Sequence, residues 1–487
     1  MATSTMTSQP VPDPLSAPNS NNTSLNLPHS NSMPTSTSTS TPPNKTLSVL
    51  EEVEAAQDRL RSRLAGALTS PPPNIPHDAL PSVPLIDIGP SFDGTLESRK
   101  KVASQIRDAC LTTGFFQISN HGVTPGAMAS VLKQAERFFH DLAEPKRQAL
   151  HIKHSTLFRG YEPHDSTYVN PDDQNNSNDN NNNNSNSSSD NSSSSSNTYD
   201  TAEQQQQQQE TKEGFNWGYE EALDPTGGDG RYVELDGSKP DPARGHGNVW
   251  PAEEDLPGFK AAIAEYYGQV LQLARHLFRL FALSLGLEER YFDELMTHPG
   301  GIARLLYYAG QPVIEDEKTD RGMNDATTTT NTTTVTAKKE EQEHTTKLGL
   351  GAHTDYECFT LLLSSANPGL EILFPPSPGT AGNPIWRPCP VRPGTLTVNV
   401  ADFLMRWTNG LYKSTIHRVV SKPGAGERYS VPFFFSINYD GEVAPLPEWC
   451  VGESHFRPLK AGEYVLERLR ATQILEDQEK EEQNRTK

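Results

Sequence analysis

Two metal-binding side chains, His353 and Asp355, lie close together in the last third of the chain, separated by one residue. In an extended strand alternate side chains share a face, so these two should project to the same side. His417, in a second apolar segment, supplies a third candidate ligand. Two histidines and one carboxylate on one side of a metal leave up to three positions open, which suits a non-haem Fe(II) that binds a bidentate co-substrate together with oxygen. The sequence therefore predicts an iron triad of His353, Asp355 and His417.

A second feature adds weight, because an isolated His-x-Asp pair is common by chance. Arg428 follows His417, and Ser430 lies two positions further on, hence on the same strand face. A guanidinium makes paired, charge-assisted hydrogen bonds to a carboxylate, and a neighbouring hydroxyl can add another. The apolar residues that follow predict that Arg428 is buried and needs an anionic partner. That partner is either an acidic co-substrate or an Asp or Glu of the protein itself.

Composition excludes several classes of protein. The chain has 487 residues and a formal net charge of −20, which argues against nucleic-acid binding and against attachment to an anionic membrane surface. No apolar run approaches about 18 residues, so no membrane span is expected. The four cysteines form no C-x-x-C pair and are expected to be reduced thiols. We therefore expect a cytoplasmic, monomeric protein with a small-molecule substrate, no nucleic-acid partner and no membrane association.

Low-complexity sequence interrupts the chain. Runs rich in Ser, Thr, Asn and Gln cannot offset their own ordering entropy, so we expect them to be disordered. The regions concerned are residues 1–82, within which a helix over 46–68 is expected, an insert at about 166–211, and a second insert over 313–346.

The remaining regions carry regular apolar patterns. Residues 83–312 contain strand patterns and a long segment with apolar residues at helical spacing. Residues 347–460 alternate short apolar runs with Gly/Pro turns, which is typical of a β sandwich or barrel. Residues 461–487 are expected to form a charged helical tail. The predicted triad and Arg428 all lie in the β-rich region.

A series of short motifs occurs in a fixed order along the chain. They are VPLID (83–87), GFFQISNHGV (114–123), RGY (159–161), RLLYY (304–308), HTD (353–355), NVAD (399–402), NG (409–410), HRV (417–419) and RYS (428–430). In this order they resemble the isopenicillin N synthase-like branch of the Fe(II)/2-oxoglutarate-dependent oxygenases. The resemblance runs from Val83 to about residue 447, interrupted by the two inserts.

The resemblance implies a mixed α/β fold that is mainly antiparallel β. Its core would be a double-stranded β-helix (jelly roll) over 347–460, with flanking helices. The three predicted ligands, His353, Asp355 and His417, would be the iron ligands. No catalytic residue beyond these ligands is identified.

The resemblance also implies a binding site for 2-oxoglutarate. Arg428 and Ser430 would hold its distal carboxylate, and Tyr308 falls where many relatives place a tyrosine that helps to bind this group. Leu306 departs from the pattern, since relatives often have Asn there. His121 is shared with the family, but we interpret it as structural because it lies in an N-terminal turn.

The implied activity is that of a non-haem dioxygenase that uses Fe(II), 2-oxoglutarate and O2. Such an oxidoreductase hydroxylates or desaturates a small organic molecule, here by hypothesis one of specialised metabolism. Two alternatives stay open. An Fe(II) oxidase or cyclase of the same fold would use the Arg-x-Ser pair for a substrate carboxylate and form no succinate. A catalytically silent binding or regulatory protein would lack a ligand, whereas all three are present.

Overall fold

The computed structural model describes residues 45–69, 82–92, 94–164, 210–312, 346–377, 380, 382–450 and 452–472. The α-helices are α1 Lys45–Leu64, α2 Leu96–Thr112, α3 Pro125–His140, α4 Glu144–Ala149, α5 Phe259–Ser284, α6 Asp402–Trp407 and α7 Ala461–Arg470. The strands are β1 Leu85–Asp87, β2 Phe115–Ser119, β3 Gly160–Glu162, β4 Lys212–Trp217, β5 Gly301–Tyr308, β6 Lys347–His353, β7 Phe359–Ser364, β8 Leu370–Phe374, β9 Ile385–Pro388, β10 Leu396–Val400, β11 His417–Ser421, β12 Arg428–Phe435, β13 Glu442–Val443 and β14 Leu459–Lys460. Most of the predicted disordered segments lie outside the described residues.

Two sheets form the core. The eight-stranded sheet has the order β1-β2-β10-β7-β12-β5-β4-β3, and the four-stranded sheet has the order β6-β11-β8-β9. All pairings in these sheets are antiparallel except that of β1 with β2. Side chains of both sheets meet in one apolar cluster that includes Leu306, Tyr308, Ile372 and Val419. The fold is thus the predicted jelly roll with flanking helices, and strands from both predicted folded regions share its larger sheet.

Helix α5 covers the outer face of the larger sheet. Its apolar residues recur at helical spacing and are buried, and Gly286 follows its end with a φ of 76°, a conformation that favours glycine. Phe281 contacts Phe359 with ring centroids 5.0 Å apart, and Phe278 contacts Phe435 at 5.5 Å. Because side chains of β12 alternate, the odd-numbered residues face this helix and the even-numbered ones face the interior between the sheets.

The two terminal helices pack against each other and against the core. Helix α1 is the structural counterpart of the helix expected over 46–68, and it buries Val49, Val53 and Leu64. Its contact with α7, from the predicted charged tail, gives that apolar stripe a partner. No helix among the described residues is long and apolar enough to cross a membrane.

Glu52 is the polar anchor of α1. Its Oε2 lies 3.0 Å from Nη1 of Arg406, a side chain that is fully buried in α6. Neighbouring Glu51 instead pairs with Arg457 at the surface. Removing one member of a buried ion pair leaves the other charge uncompensated, whereas an exposed pair contributes little.

We expect Glu52→Ala to lower the free energy of unfolding by about 3 kcal/mol. The matched change Glu51→Ala should lower it by less than about 1 kcal/mol. Urea unfolding of both variants measures the difference. Equal effects of the two substitutions would show that α1 is not anchored through Glu52.

Candidate metal centre

Strands β6 and β11 bring the two histidines together. His353 is the last residue of β6, His417 is the first of β11, and the two are direct partners in the antiparallel pair. Asp355 follows two residues after His353. The Nε2 atoms of His353 and His417 each lie 3.6 Å from Oδ1 of Asp355, and the three ligand atoms all lie within 4.8 Å of one another. One metal ion can therefore contact all three.

Backbone carbonyls orient both imidazoles. Nδ1 of His353 lies 2.7 Å from the carbonyl oxygen of Gly351, and Nδ1 of His417 lies 3.1 Å from that of Thr415. A carbonyl oxygen can only accept, so each Nδ1 carries the proton and each Nε2 presents its lone pair to the centre. Such contacts from the far ring nitrogen fix the tautomer of histidines that bind metal.

The carboxylate of Asp355 is held by two neighbouring strands. Asn399 on β10 donates to its Oδ2 at 2.7 Å, and Thr360 on β7 donates to the same oxygen. Both contacts leave Oδ1, the oxygen nearest the histidines, free for a metal. Burial raises the pKa of Asp355, but interactions with His417 and His353 and the hydrogen bond from Asn399 outweigh burial and hold the pKa well below its usual range.

The two histidines differ in their proton affinity. Burial, with a smaller contribution from His353, lowers the pKa of His417 to about 4. Burial also acts to lower the pKa of His353, but Asp355 outweighs it and raises that pKa above the usual value. Only His353 therefore holds a proton that a metal must displace near neutral pH.

Arg428, Ser430 and Tyr308 form a second group. Arg428 and Tyr308 are direct partners in the pair of β12 with β5, and the guanidinium carbon lies 5.1 Å from the centroid of the Tyr308 ring. Arg428 also donates to the hydroxyls of Ser430 and Ser364, each at 3.1 Å. Gly349 lies so close to the Tyr308 ring that an added Cβ would be 2.7 Å from it, so only glycine fits against this tyrosine.

No carboxylate of the protein pairs with Arg428 among the described residues. Its side chain is buried, and burial lowers its pKa, yet an arginine stays charged in a protein. A buried charge without a counter-ion is costly. The plainer interpretation, an ion pair with a protein Asp or Glu, therefore has no partner in this part of the structure.

The two groups line different cavities. The triad residues His353 and Asp355 line a cavity of about 310 Å³. Arg428 lines a smaller one of about 30 Å³, together with Ser364 and Gln117. The apolar cluster that contains Leu306, Tyr308 and Val419 lies between the two sheets that carry both groups.

The walls of the larger cavity come partly from the terminal helices. Helix α1 supplies Gln57 and Leu60, and α7 supplies Val465 and Arg468. The sequence gives no signal for this role, because neither helix carries a motif. Of the aromatic residues at 215–219 and 433–435, Phe434 lines the cavity, whereas the others named in the core cluster are buried in it.

The hydrogen bonds around Asp355 are the other feature that sequence reasoning missed. Asn399 lies in one of the short motifs, so a signal existed, but nothing in the sequence assigns it to Asp355. Thr360 carries no such signal. Both assignments depend on the pairing of β10 with β7, which places Asn399 directly opposite Thr360.

Comparison with known proteins gives consistent matches. Residues 331–437 match the model of the 2OG-Fe(II) oxygenase superfamily, and residues 83–253 match that of the N-terminal region of a non-haem dioxygenase in morphine synthesis. A 2-oxoglutarate-Fe(II) type oxidoreductase of Emericella nidulans, hxnY, is 32% identical over 371 residues, which cover 75% of this chain and 83% of that protein. The oxidoreductase ppzC of Metarhizium majus is 30% identical over 86% of this chain and 96% of its own length.

Solved structures show the same fold. The crystal structure of full-length T7H of Neurospora crassa, in complex with alpha-KG and thymine, aligns with a TM-score of 0.57. That alignment covers 80% of this chain and 96% of the other at 23% identity. A putative 2OG-Fe(II) oxygenase family protein from Caulobacter crescentus aligns with a TM-score of 0.53 at 22% identity, over 80% of this chain and 99% of the other.

We expect Asn399→Ala to weaken binding of a divalent metal by about 10- to 100-fold, because Asp355 loses a hydrogen bond that orients it. Titration of the metal-free protein with Mn(II) measures this. Thr397→Val, two residues earlier on the same strand, should leave the affinity unchanged. An unchanged affinity in Asn399→Ala would show that Asn399 does not support the ligand.

Metal affinity should also rise with pH. Because the folded-state pKa of His353 is raised, a proton competes with the metal below that pKa, and affinity should grow by up to about tenfold per pH unit there. It should level off once His353 is neutral, since His417 is already neutral above its pKa of about 4. Mn(II) titrations between about pH 5 and 8 test this. A flat profile would contradict the assignment of His353.

Proposed function

The chain belongs to the 2OG-Fe(II) oxygenase superfamily, and from this premise we propose that His353, Asp355 and His417 are its iron ligands. The protein is an oxidoreductase, a dioxygenase that uses Fe(II), 2-oxoglutarate and O2 and acts on a small molecule. What supports the ligand assignment most directly is the convergence of three ligand atoms within 4.8 Å of one another.

The donor set fits Fe(II). Two imidazole nitrogens and one carboxylate oxygen, presented from one side, form the facial arrangement that non-haem iron oxygenases use. The carbonyls of Gly351 and Thr415 keep both imidazoles in the tautomer that binds metal. Asp355 remains ionised, because its pKa lies well below the usual range. The ligands are therefore prepared before a metal arrives.

When bound, iron and 2-oxoglutarate supply the oxidation of an unactivated C–H bond, coupled to the conversion of 2-oxoglutarate and O2 into succinate and CO2. The protein contributes position and electrostatics. The ligand side chains hold one face of the site, and the walls of the larger cavity, from β5, α1 and α7, exclude bulk water from the substrate.

We propose that Arg428, Ser430 and Tyr308 bind the distal carboxylate of 2-oxoglutarate. The support is the buried guanidinium of Arg428, which has hydroxyl groups around it and no carboxylate partner among the described residues. A carboxylate from the co-substrate would complete this group with charge-assisted hydrogen bonds. Leu306 places no further polar group beside Tyr308, so the arginine and the hydroxyls carry the recognition.

The reaction we propose is hydroxylation or desaturation of a small organic molecule of specialised metabolism. The oxidase or cyclase alternative keeps the metal and uses Arg428 for a substrate carboxylate instead. Measurement of succinate against O2 uptake separates the two, because only the 2-oxoglutarate route couples them. A silent scaffold is disfavoured by the complete ligand set. We further propose a cytoplasmic monomer, an inference supported by the free cysteines of the described region.

Arg428→Ala should weaken 2-oxoglutarate binding by about 1.5–3 kcal/mol, the value of a hydrogen bond to a charged group. Mn(II) affinity should stay the same, since Arg428 does not contact the triad. Ser430→Ala should weaken 2-oxoglutarate binding by about 0.5–1.5 kcal/mol, as expected for a neutral donor. Calorimetric titration of the Mn(II)-loaded protein measures all three. Unchanged affinity for 2-oxoglutarate in Arg428→Ala would overturn the assignment.

A further inference from the structure

The cavity that contains the triad has two polar side chains with unused hydrogen-bonding capacity, Arg304 and Glu357. Arg304 lies on β5, on the face that also presents Ile302 and Leu306 to the cavity. Glu357 follows Asp355 by two residues. Neither side chain is used by the metal or by the proposed 2-oxoglutarate site.

Arg304 has a counter-charge but few hydrogen bonds. Its nearest acid in the described structure is Glu162, whose Oε2 lies 3.6 Å from Nη1, and its buried Nε has no partner. Glu162 is already engaged by Lys212 at 2.7 Å and by Asn216 at 3.0 Å. A guanidinium has five N–H donors, so most of those on Arg304 await an acceptor.

Glu357 has unused acceptor capacity. Its side chain is only 3% exposed, and its Oε1 accepts one long hydrogen bond, 3.3 Å, from the hydroxyl of Tyr439. Its Oε2 is buried and has no partner. No Lys or Arg pairs with Glu357 among the described residues. An oxygen in this situation gains from any donor that a ligand brings into the cavity.

The charges around the cavity favour an uncharged ligand. Glu162 and Glu210 are matched by Lys212 and Arg304, so the two cations have no surplus charge to offer. A substrate carboxylate would add a further negative charge beside Glu357 and would be disfavoured. A neutral carbonyl oxygen can still accept from Arg304 without that penalty.

We propose that Arg304 and Glu357 together select a neutral substrate that presents a carbonyl oxygen beside a hydrogen-bond donor, the chemistry of a lactam or a carboxamide. The carbonyl accepts from Arg304, and the adjacent N–H donates to Glu357. The apolar part of the molecule lies against Leu306 and Phe434, which line the same cavity. The inference rests on the proposed function, because it takes this cavity as the place where substrate is oxidised.

Three small probes test this selection in the full chain loaded with Mn(II) and 2-oxoglutarate, where no turnover occurs. They are δ-valerolactam, N-methyl-δ-valerolactam, which lacks the donor, and valerate, which is anionic. Paramagnetic relaxation of the probe protons by Mn(II) reports binding beside the metal. We expect the lactam to bind, and both the N-methyl compound and valerate to bind about tenfold more weakly.

Substitutions assign the selection to the two side chains. Arg304→Gln should weaken both lactams by about tenfold, and Glu357→Leu should remove the preference for the N–H form. Arg304→Lys and Glu357→Gln, which keep a donor and an acceptor, should retain part of the binding and of the preference. Tyr307→Phe, on the opposite face of β5, is the matched control and should bind all three probes as the wild type does.

The proposal is overturned if the lactam does not bind, if N-methylation has no effect on the wild-type protein, or if valerate binds best. The comparison of probes on the wild type needs no variant, so a failure of one substitution to fold does not affect it. Binding of 2-oxoglutarate is measured in the same samples. Its absence would contradict the proposed function, whereas normal 2-oxoglutarate binding without lactam selectivity would contradict this inference alone.

Discussion

The direct pairing of His353 with His417 across β6 and β11 is the contact on which the site depends. It brings two imidazoles from distant parts of the chain to one point, and the turn after β6 carries Asp355 to the same place. The remaining support is backbone: two carbonyl oxygens fix the ring tautomers. A slip of one residue in this pair would turn a ligand to the opposite face, so strand register controls metal binding.

Burial without a partner is the second constraint, and it separates functional from structural charges. Arg406, Arg468 and Lys212 are buried too, but each lies within 3.0 Å of a carboxylate oxygen. Arg428 has only hydroxyl groups and an aromatic ring around it, and the donors of Arg304 are largely unfilled. The fold therefore satisfies the arginines that hold it together and leaves incomplete those that face ligands.

The sequence predicts those parts of the site that depend on local geometry. Alternation along a strand is enough to pair His353 with Asp355 and Arg428 with Ser430. It cannot show that Asn399 and Thr360 meet at Asp355, because that contact depends on the register of β10 with β7. Nor can it show that α1 and α7 form part of the cavity wall, since their apolar stripes do not identify their partners. Arg304 lies in a family motif, but its unfilled donors are visible only in three dimensions.

The most direct test of the account is a crystal structure of the protein with Fe(II) and 2-oxoglutarate, grown without oxygen. Anomalous scattering at the iron edge should place one metal in contact with Nε2 of His353, Nε2 of His417 and Oδ1 of Asp355. The distal carboxylate of 2-oxoglutarate should be hydrogen-bonded to Arg428. Iron bound elsewhere, or Arg428 paired with a carboxylate of the protein, would contradict the account.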